Sequence, residues 1–366
     1  METIDVAVLG ATGMVGQKFI VLLGDHPYFR IRELVASTGS AGKPYAQACR
    51  WKQEHPIPES VASMTVKSTE DELASPLLFS GLDSSVAGEV ETAYAKRGHL
   101  VVSNSKNHRM DPDVPLVIPE INPDHLALLE QQPYAGGIVT NPNCSTIFLA
   151  MALAPLHQEF GLEAAAVTTM QAVSGGGYPG VSSMDVMGNI IPYIGGEEEK
   201  IEAESLKILG RCNDGGLVPA EIRVSATCTR VPVIDGHTES VSVKLSRPAD
   251  LDQVREAFDR FRGLPQVRSL PSAPSHPILT LDALDRPQPA RDLRLENGMA
   301  TVVGRLRDCP VLDYRMIVLG HNTVRGAAGA SILNAETLVS EGYLADGVLN
   351  KRPAAVTDGG VVGSCC

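Results

Sequence analysis

The chain opens on the apolar, β-branched run Ile4-Asp5-Val6-Ala7-Val8-Leu9, which reads as a buried strand. A glycine-rich turn follows at once, Gly10-Ala11-Thr12-Gly13-Met14-Val15-Gly16. Val15, Phe19 and Leu22 then recur at helical spacing, and a second strand is expected over 31–36. Short apolar runs over 77–80, 100–103 and 137–140 alternate with helical patterns, one of them continuing from Asp83 to Ala95. Strand and helix in strict alternation predict a parallel sheet covered by helices on both faces.

From Cys144 to about Met316 the pattern changes. Strand-like segments at 165–169, 222–229, 239–245 and 299–305 are separated by longer helices. This predicts a mixed sheet with helices on one side. The proline-rich stretch 265–289 reads as a loop or an edge extension. A last helix is expected over about 323–340, and its small residues at the start permit close approach.

The first turn carries candidate chemistry. Strand, glycine-rich turn and helix together form a pyrophosphate cradle, because the helix start offers N–H donors and the positive end of its dipole. The spacing is G-x-x-G-x-x-G instead of the more usual G-x-G-x-x-G. An acidic residue after the second strand would bind the ribose hydroxyl of NAD. Here Ser37-Thr38-Gly39-Ser40-Ala41-Gly42-Lys43 has none, and its hydroxyls and lysine suit a 2′-phosphate better, unless the segment is a plain polar loop.

Asn141-Pro142-Asn143-Cys144-Ser145-Thr146 follows the strand at 137–140 and leads into an apolar helix. Asn143 and Ser145 are both N-cap candidates. Cys144 therefore stands at a helix start, where the dipole favours a thiolate. Backbone N–H groups there are candidates to steady an oxyanion. The base could be His237, on the turn Asp235-Gly236 before a strand, or His321, and spacing alone leaves both open. The acidic run Glu197 to Glu199, with Glu202 and Glu204, has no His or Cys at metal spacing nearby. It reads as a capped, solvated helix start whose Glu197 and Lys200 share one face. The G-x-S-x-G signature of a serine hydrolase is absent.

Charge narrows the partners. Lys plus Arg is 31 against 43 for Asp plus Glu, a net charge of −12. That excludes a general nucleic-acid binder while leaving room for a small anion in a local basic pocket. The apolar runs are too short to cross a bilayer, and the acidic start is unlike a signal peptide. Seven unevenly spaced cysteines point to reduced thiols and a cytoplasmic location. Cys365 and Cys366 end a tail expected to be flexible over 353–366.

Six motifs in order resemble the aspartate-semialdehyde dehydrogenases, in the branch found in archaea and fungi. They are Gly10-Ala11-Thr12-Gly13-x-x-Gly16, the Asn141–Thr146 run, Gln171-Ala172-Val173-Ser174-Gly175, Glu197-Glu198-Glu199-Lys200, Thr229-Arg230-Val231-Pro232 with Gly236-His237, and the closing run from His321 to Ala330. The resemblance implies an α/β chain: a Rossmann-type dinucleotide-binding domain plus an α+β catalytic and dimerisation domain with a mixed sheet. The first would span 1–143 with a returning helix at about 317–345, the second 144–316. It implies reversible conversion of L-aspartyl 4-phosphate to L-aspartate 4-semialdehyde with NADP, in lysine, threonine and methionine biosynthesis, by a homodimer or homotetramer.

The resemblance also assigns roles. Cys144 would be the nucleophile, His237 the acid/base and Gln171 the group that orients the intermediate. Arg230 would bind the substrate carboxylate and Glu197 its amino group. Arg109 and Lys200 would hold phosphate, with Asn143 close by. Gly10, Thr12, Gly13, Met14, Val15, Gly16, Ser37, Ser40, Lys43, Ser174, Gly175 and Asn322 would contact the cofactor. No metal is expected. The sequence departs from the family at Gly39, where an arginine is usual. Malonyl-CoA reductase, N-acyl-glutamyl-phosphate reductase and a non-catalytic NADP-binding protein are the competing readings.

Overall fold

The structure, a computed structural model, describes residues 3–213, 216–345 and 348–350. The tail 353–366, with Cys365 and Cys366, lies outside the described residues. The first half runs β1 (Ile4–Leu9), α1 (Met14–Leu23), β2 (Phe29–Ala36), β3 (Lys67–Ser68), β4 (Leu77–Ser80), α2 (Ser84–Lys96), β5 (Leu100–Ser103) and β6 (Gly137–Thr140). These strands form one parallel sheet in the order β3-β2-β1-β4-β5-β6. The order reverses beside β1, so a crevice opens at the carboxyl ends of β1 and β4. The short apolar runs became strands because both faces are covered: every residue of β4, β5 and β6 is buried.

The second half begins with α3 (Cys144–Phe160) and continues through β7 (Leu162–Gln171), α4 (Glu197–Ile208), β8 (Arg223–Arg230), β9 (His237–Leu245) and α5 (Leu251–Arg260). It closes with β10 (Ile278–Leu281), β11 (Thr301–Asp308), β12 (Tyr314–Gly320) and α6 (Gly329–Ser340). The second sheet is mixed, in the order β8-β7-β9-β12-β11-β10. The proline-rich stretch supplies its edge strand β10, parallel to β11. Helices α3, α4 and α5 bury one face of this sheet, with Ile147, Phe148, Leu153, Ile201 and Phe258 against Val167, Val241 and Val318. The opposite face alternates outward at Ala166, Thr168, Ser225, Thr227 and Ser240, all exposed.

Helix α3 is longer than its apolar run, because Asn143 caps it: its side chain accepts from the N–H groups of Ser145 and Thr146. The last helix does not begin as a regular one. A π-helical turn over Val324–Ala328 precedes α6, and Ile332, Ala335 and Leu338 of α6 pack with Val8, Phe79 and Val102 of the first sheet. The chain thus returns to its starting layer and closes a cleft between the two sheets.

Candidate active site

That cleft has a volume of about 630 Å³ and is lined from both halves. On one side stand Gly10 and Thr12 to Val15; on the other, Cys144, Gln171, Ser174 to Tyr178, Glu197 and Arg230. Asn322, Thr323 and Gly326 close the floor.

Cys144 is the first residue of α3 and keeps part of its surface open to the cleft. His237 begins β9 and is fully buried. Its Nε2 lies 3.1 Å from the Cys144 sulfur. The peptide N–H of Ala172 donates to His237 Nδ1 at 3.0 Å. Nδ1 is therefore an acceptor, and the ring proton sits on Nε2, facing the sulfur. A second proton would displace the Ala172 contact, and burial with the nearby Arg230 pushes the imidazole down to about 3. The sequence left His237 and His321 open; the sulfur contact belongs to His237. One expectation is corrected here. The helix start is opposed at Cys144: burial, with the Glu197 carboxylate adding to it, pushes the thiol up to about 12.

Around this pair the charged groups interlock. Glu197 Oε1 accepts from Lys200 Nζ at 2.5 Å, while its Oε2 accepts from Asn143 Nδ2 at 2.8 Å and Gln171 Nε2 at 3.3 Å. Burial alone would raise the Glu197 carboxyl, but Lys200, Asn143 and Gln171 together outweigh it and hold the group below its ordinary value. Arg230 donates from Nη1 to the Ala172 carbonyl at 2.7 Å. Gly175 lies over both: a Cβ there would come within 2.9 Å of Arg230 Nη1 and 3.0 Å of His237 Cε1. Arg109 donates to Glu204 at 2.9 Å and to the Asn104 carbonyl at 2.7 Å, and its buried Nε has no partner among the described residues.

The oxyanion expectation also changes. The N–H groups of Ser145 and Thr146 are taken by Asn143 Oδ1, and the Gln171 amide donates to Glu197 and Thr169, so the donor that faces the sulfur is His237 Nε2.

The glycine turn fits a dinucleotide. The N-terminus of α1 has no side-chain cap, so its N–H groups remain open to the cleft. Gly16 serves packing: a Cβ there would meet the Gly10 carbonyl at 2.2 Å, so the helix could not approach the strand. Gly16, Ser40 and Lys43 stand outside the cleft lining, and Lys43 Nζ donates to the Gly39 carbonyl at 2.7 Å. Ser37 does line the cleft. Asn322 holds two loops together, accepting from the Gly236 N–H and donating to Ser174 Oγ, each at 2.8 Å.

Two features escaped the sequence. Glu204 is buried and joins Arg109 to the Asn143 N–H, which it accepts at 2.6 Å. Helical spacing from Glu197, seven residues earlier, was the available signal. Tyr178, on the second-domain side of the cleft mouth, carries Lys52 4.3 Å and Arg50 5.3 Å from its ring centre. Apart from the cleft, Asp124, His125 and Cys212 hold potential metal-ligand atoms within 4.8 Å of one another. Asn122 Nδ2 donates to His125 Nδ1 at 2.9 Å, which leaves the proton on Nε2 and no free lone pair for a cation.

Two family models match the chain. The semialdehyde dehydrogenase NAD binding domain covers residues 5–129, and the semialdehyde dehydrogenase dimerisation domain covers residues 153–325. An aspartate-semialdehyde dehydrogenase from Methanothermobacter thermautotrophicus is 51% identical over 92% of this chain and 99% of its own length.

The chain belongs to the aspartate-semialdehyde dehydrogenase family.

The relative of that name from Cryptococcus neoformans is 48% identical over 93% of this chain and 98% of its own. Among solved structures, the aspartate-semialdehyde dehydrogenase of Candida albicans with NADP superposes with a TM-score of 0.86 at 43% identity, covering 93% of this chain and 99% of that one. Aspartate-semialdehyde dehydrogenase II of Vibrio cholerae, complexed with ASA, gives 0.74 at 28% identity, covering 93% and 99%. Within the family, this member carries Gly39 in the loop after β2.

Proposed function

We propose that this protein interconverts L-aspartyl 4-phosphate and L-aspartate 4-semialdehyde, using NADP and a Cys144 thioester. The observation that carries the reading is the Cys144–His237 contact of 3.1 Å, set between a glycine-turn cradle and an interlocked cluster of Arg230, Glu197, Lys200 and Arg109. A relative's structure with NADP and another with ASA support the cofactor and the substrate class. A thiol suits the chemistry because it is both a good nucleophile and a good leaving group.

In the oxidative direction Cys144 attacks the aldehyde carbon. As the carbon–sulfur bond forms, His237 gives its Nε2 proton to the developing oxygen and takes the thiol proton in its place, so the ring stays neutral; the hydroxyl proton so formed leaves to solvent when the hydride departs. NADP, when bound, supplies or accepts the hydride. Oxidation of the Cys144 adduct leaves a thioester, which phosphate displaces to give the acyl phosphate and return the thiolate. Gln171 holds the reacting carbonyl. Arg230 grips the substrate carboxylate, Glu197 accepts from its amino group, and Arg109 with Lys200 receives phosphate beside Asn143. The first-turn residues Gly10 and Thr12 to Val15, with Ser37, Ser174, Gly175 and Asn322, hold the cofactor.

A second copy pairs through the uncovered face of the mixed sheet, where small and polar residues face outward. The matched dimerisation domain, residues 153–325, supports pairing through this half of the chain. Among the described residues no helix is long and apolar enough to cross a membrane.

The test is phosphate-dependent reduction of NADP⁺ with aspartate semialdehyde, run beside malonyl-CoA-dependent oxidation of NADPH. Turnover in the first assay alone is expected. Turnover only in the second would replace the phosphate acceptor with coenzyme A.

A further inference from the structure

Helix α4 presents Glu197, Lys200, Glu204 and Lys207 at steps of three, four and three residues, which is one helical face. The first two belong to the site above. Glu204 bonds the Arg109 guanidinium. Lys207, the last of the series, lies two turns farther from the cysteine and is buried.

Lys207 makes an unusual set of contacts. Its Nζ donates to the main-chain carbonyls of Arg109 at 2.7 Å, Asp111 at 2.7 Å and Val114 at 2.8 Å. An ammonium has three N–H donors, and here three carbonyls of one short segment take them. The segment belongs to neither a strand nor a helix. No sheet ladder satisfies those carbonyls; that of Asp111 also accepts from the Val114 N–H at 3.2 Å, and leaving those of Arg109 and Val114 buried and unpaired would be costly. One of them belongs to Arg109 itself. The same arginine is fixed at its other end by Glu204 and by the Asn104 carbonyl. Arg109 lines the cleft, and its buried Nε has no partner among the described residues. Arg109 is thus held from main chain and side chain together, at the lining of the cleft.

We propose that Lys207 is a positioning residue for phosphate, acting through the backbone of Arg109 and touching no reactant. This rests on the reading of Arg109 as a phosphate cation. A catalytic group displaced by about 1 Å can lose on the order of a hundredfold in rate, so the main-chain position of Arg109 matters. The effect is selective. Cys144, His237 and Arg230 are held by α3, β9 and β8, and the Lys207 Nζ bonds go to none of these elements.

The experiment is steady-state kinetics of Lys207→Met in the oxidative direction, with phosphate and aspartate semialdehyde varied separately. The expected result is a rise of about tenfold or more in KM for phosphate, with KM for the aldehyde within about twofold. The rate of Cys144 alkylation by iodoacetamide stays at the wild-type value. Lys207→Gln keeps two donors for the three carbonyls and carries the test if the methionine variant does not fold; about a threefold rise is expected there. An unchanged phosphate KM in a folded variant overturns the proposal. So does a proportional rise in both KM values, which marks a residue that only supports the core. Wild-type activity that does not depend on phosphate is a separate outcome: it overturns the role of Arg109, and this inference falls with it.

Discussion

The two ends of the cleft are built differently. At the reacting end the charged groups are tied across elements: Glu197 meets Asn143 and Gln171 besides Lys200 of its own helix α4, and Glu204 joins Arg109 to the start of α3. At the far end, beyond β2, the loop from Ser37 to Lys43 bonds chiefly to itself. The N–H groups of Ser40 and Ala41 donate to the Ser37 carbonyl, and Lys43 donates to that of Gly39. A Cβ added at Gly39 would have only Ser37 Oγ near it, at 4.0 Å. The reacting end is over-determined, so a change there disturbs several groups. The far end can change one residue without repacking anything. Chemistry is therefore fixed by a network, and cofactor preference by single side chains.

The largest expected effect comes from breaking the network at its reactive atom. Cys144→Ser should lower turnover by about a thousandfold or more, since a hydroxyl at this site is a far weaker nucleophile and leaving group. Cofactor binding, followed by fluorescence or calorimetry, should survive, because the glycine turn lies on the other domain. Near-normal turnover in this variant would end the thioester mechanism.

His237→Asn is next, with turnover down by roughly 10²–10⁴-fold. His321→Asn should be mild by comparison, because the sulfur contact belongs to His237. The reverse ranking would move the role to His321. The same pair sets a pH signature. With the thiol pushed up to about 12 and the imidazole down to about 3, the resting pair is neutral across the physiological range. The thiolate fraction grows as pH rises toward the thiol's value. Alkylation of the free enzyme should therefore be slow at pH 7 and still climbing at pH 9 to 10. A plateau below pH 7 would show a preformed thiolate–imidazolium pair.

How much of this was legible in the sequence follows the same division. The Rossmann-type sheet was readable because each strand is a short apolar run bounded by turns, and β4, β5 and β6 occupy the expected residues. The mixed sheet was readable in kind, but β7 and β9 extend beyond their apolar cores into Gln171 and His237, polar residues paired in the ladder at its cleft end. Cys144 was legible because a strand, an N-cap and a helix surround it. Its pKa was not. The dipole is a local property visible in sequence order, whereas the opposing burial and Glu197 come from the tertiary fold. Arg109 sits in an irregular segment with no pattern of its own. Only resemblance pointed to it, and its supports Glu204 and Lys207 lie about a hundred residues away.

The smallest expected effect is at the far end, and it sharpens the contrast. Where the family carries an arginine that grips the 2′-phosphate and stacks on adenine, this chain has Gly39. Losing one charge-assisted contact costs on the order of 1.5–3 kcal/mol, or roughly 10–100-fold in affinity. No acidic residue follows β2 to recruit the ribose hydroxyls of NAD in compensation. The lysine that could have replaced the arginine is folded onto its own loop, although Ser37 remains at the cleft and a modest movement of Lys43 would free its ammonium. The expected outcome is NADP use with weakened discrimination, so that NAD supports measurable turnover. Gly39→Arg should tighten NADP(H) much more than NAD(H), because the added guanidinium meets a phosphate only in the former, and the open surroundings of Gly39 let the side chain enter without strain. The measurement is the ratio of kcat/KM for the two cofactors in both proteins. A wild-type preference for NADP above about a thousandfold, more than the lost contact could leave, would mean that other side chains replace the arginine fully. A clear wild-type preference for NAD would mean that the loop reads the ribose hydroxyls without a carboxylate. Either result would show that the far end, like the reacting end, is set by more than one residue.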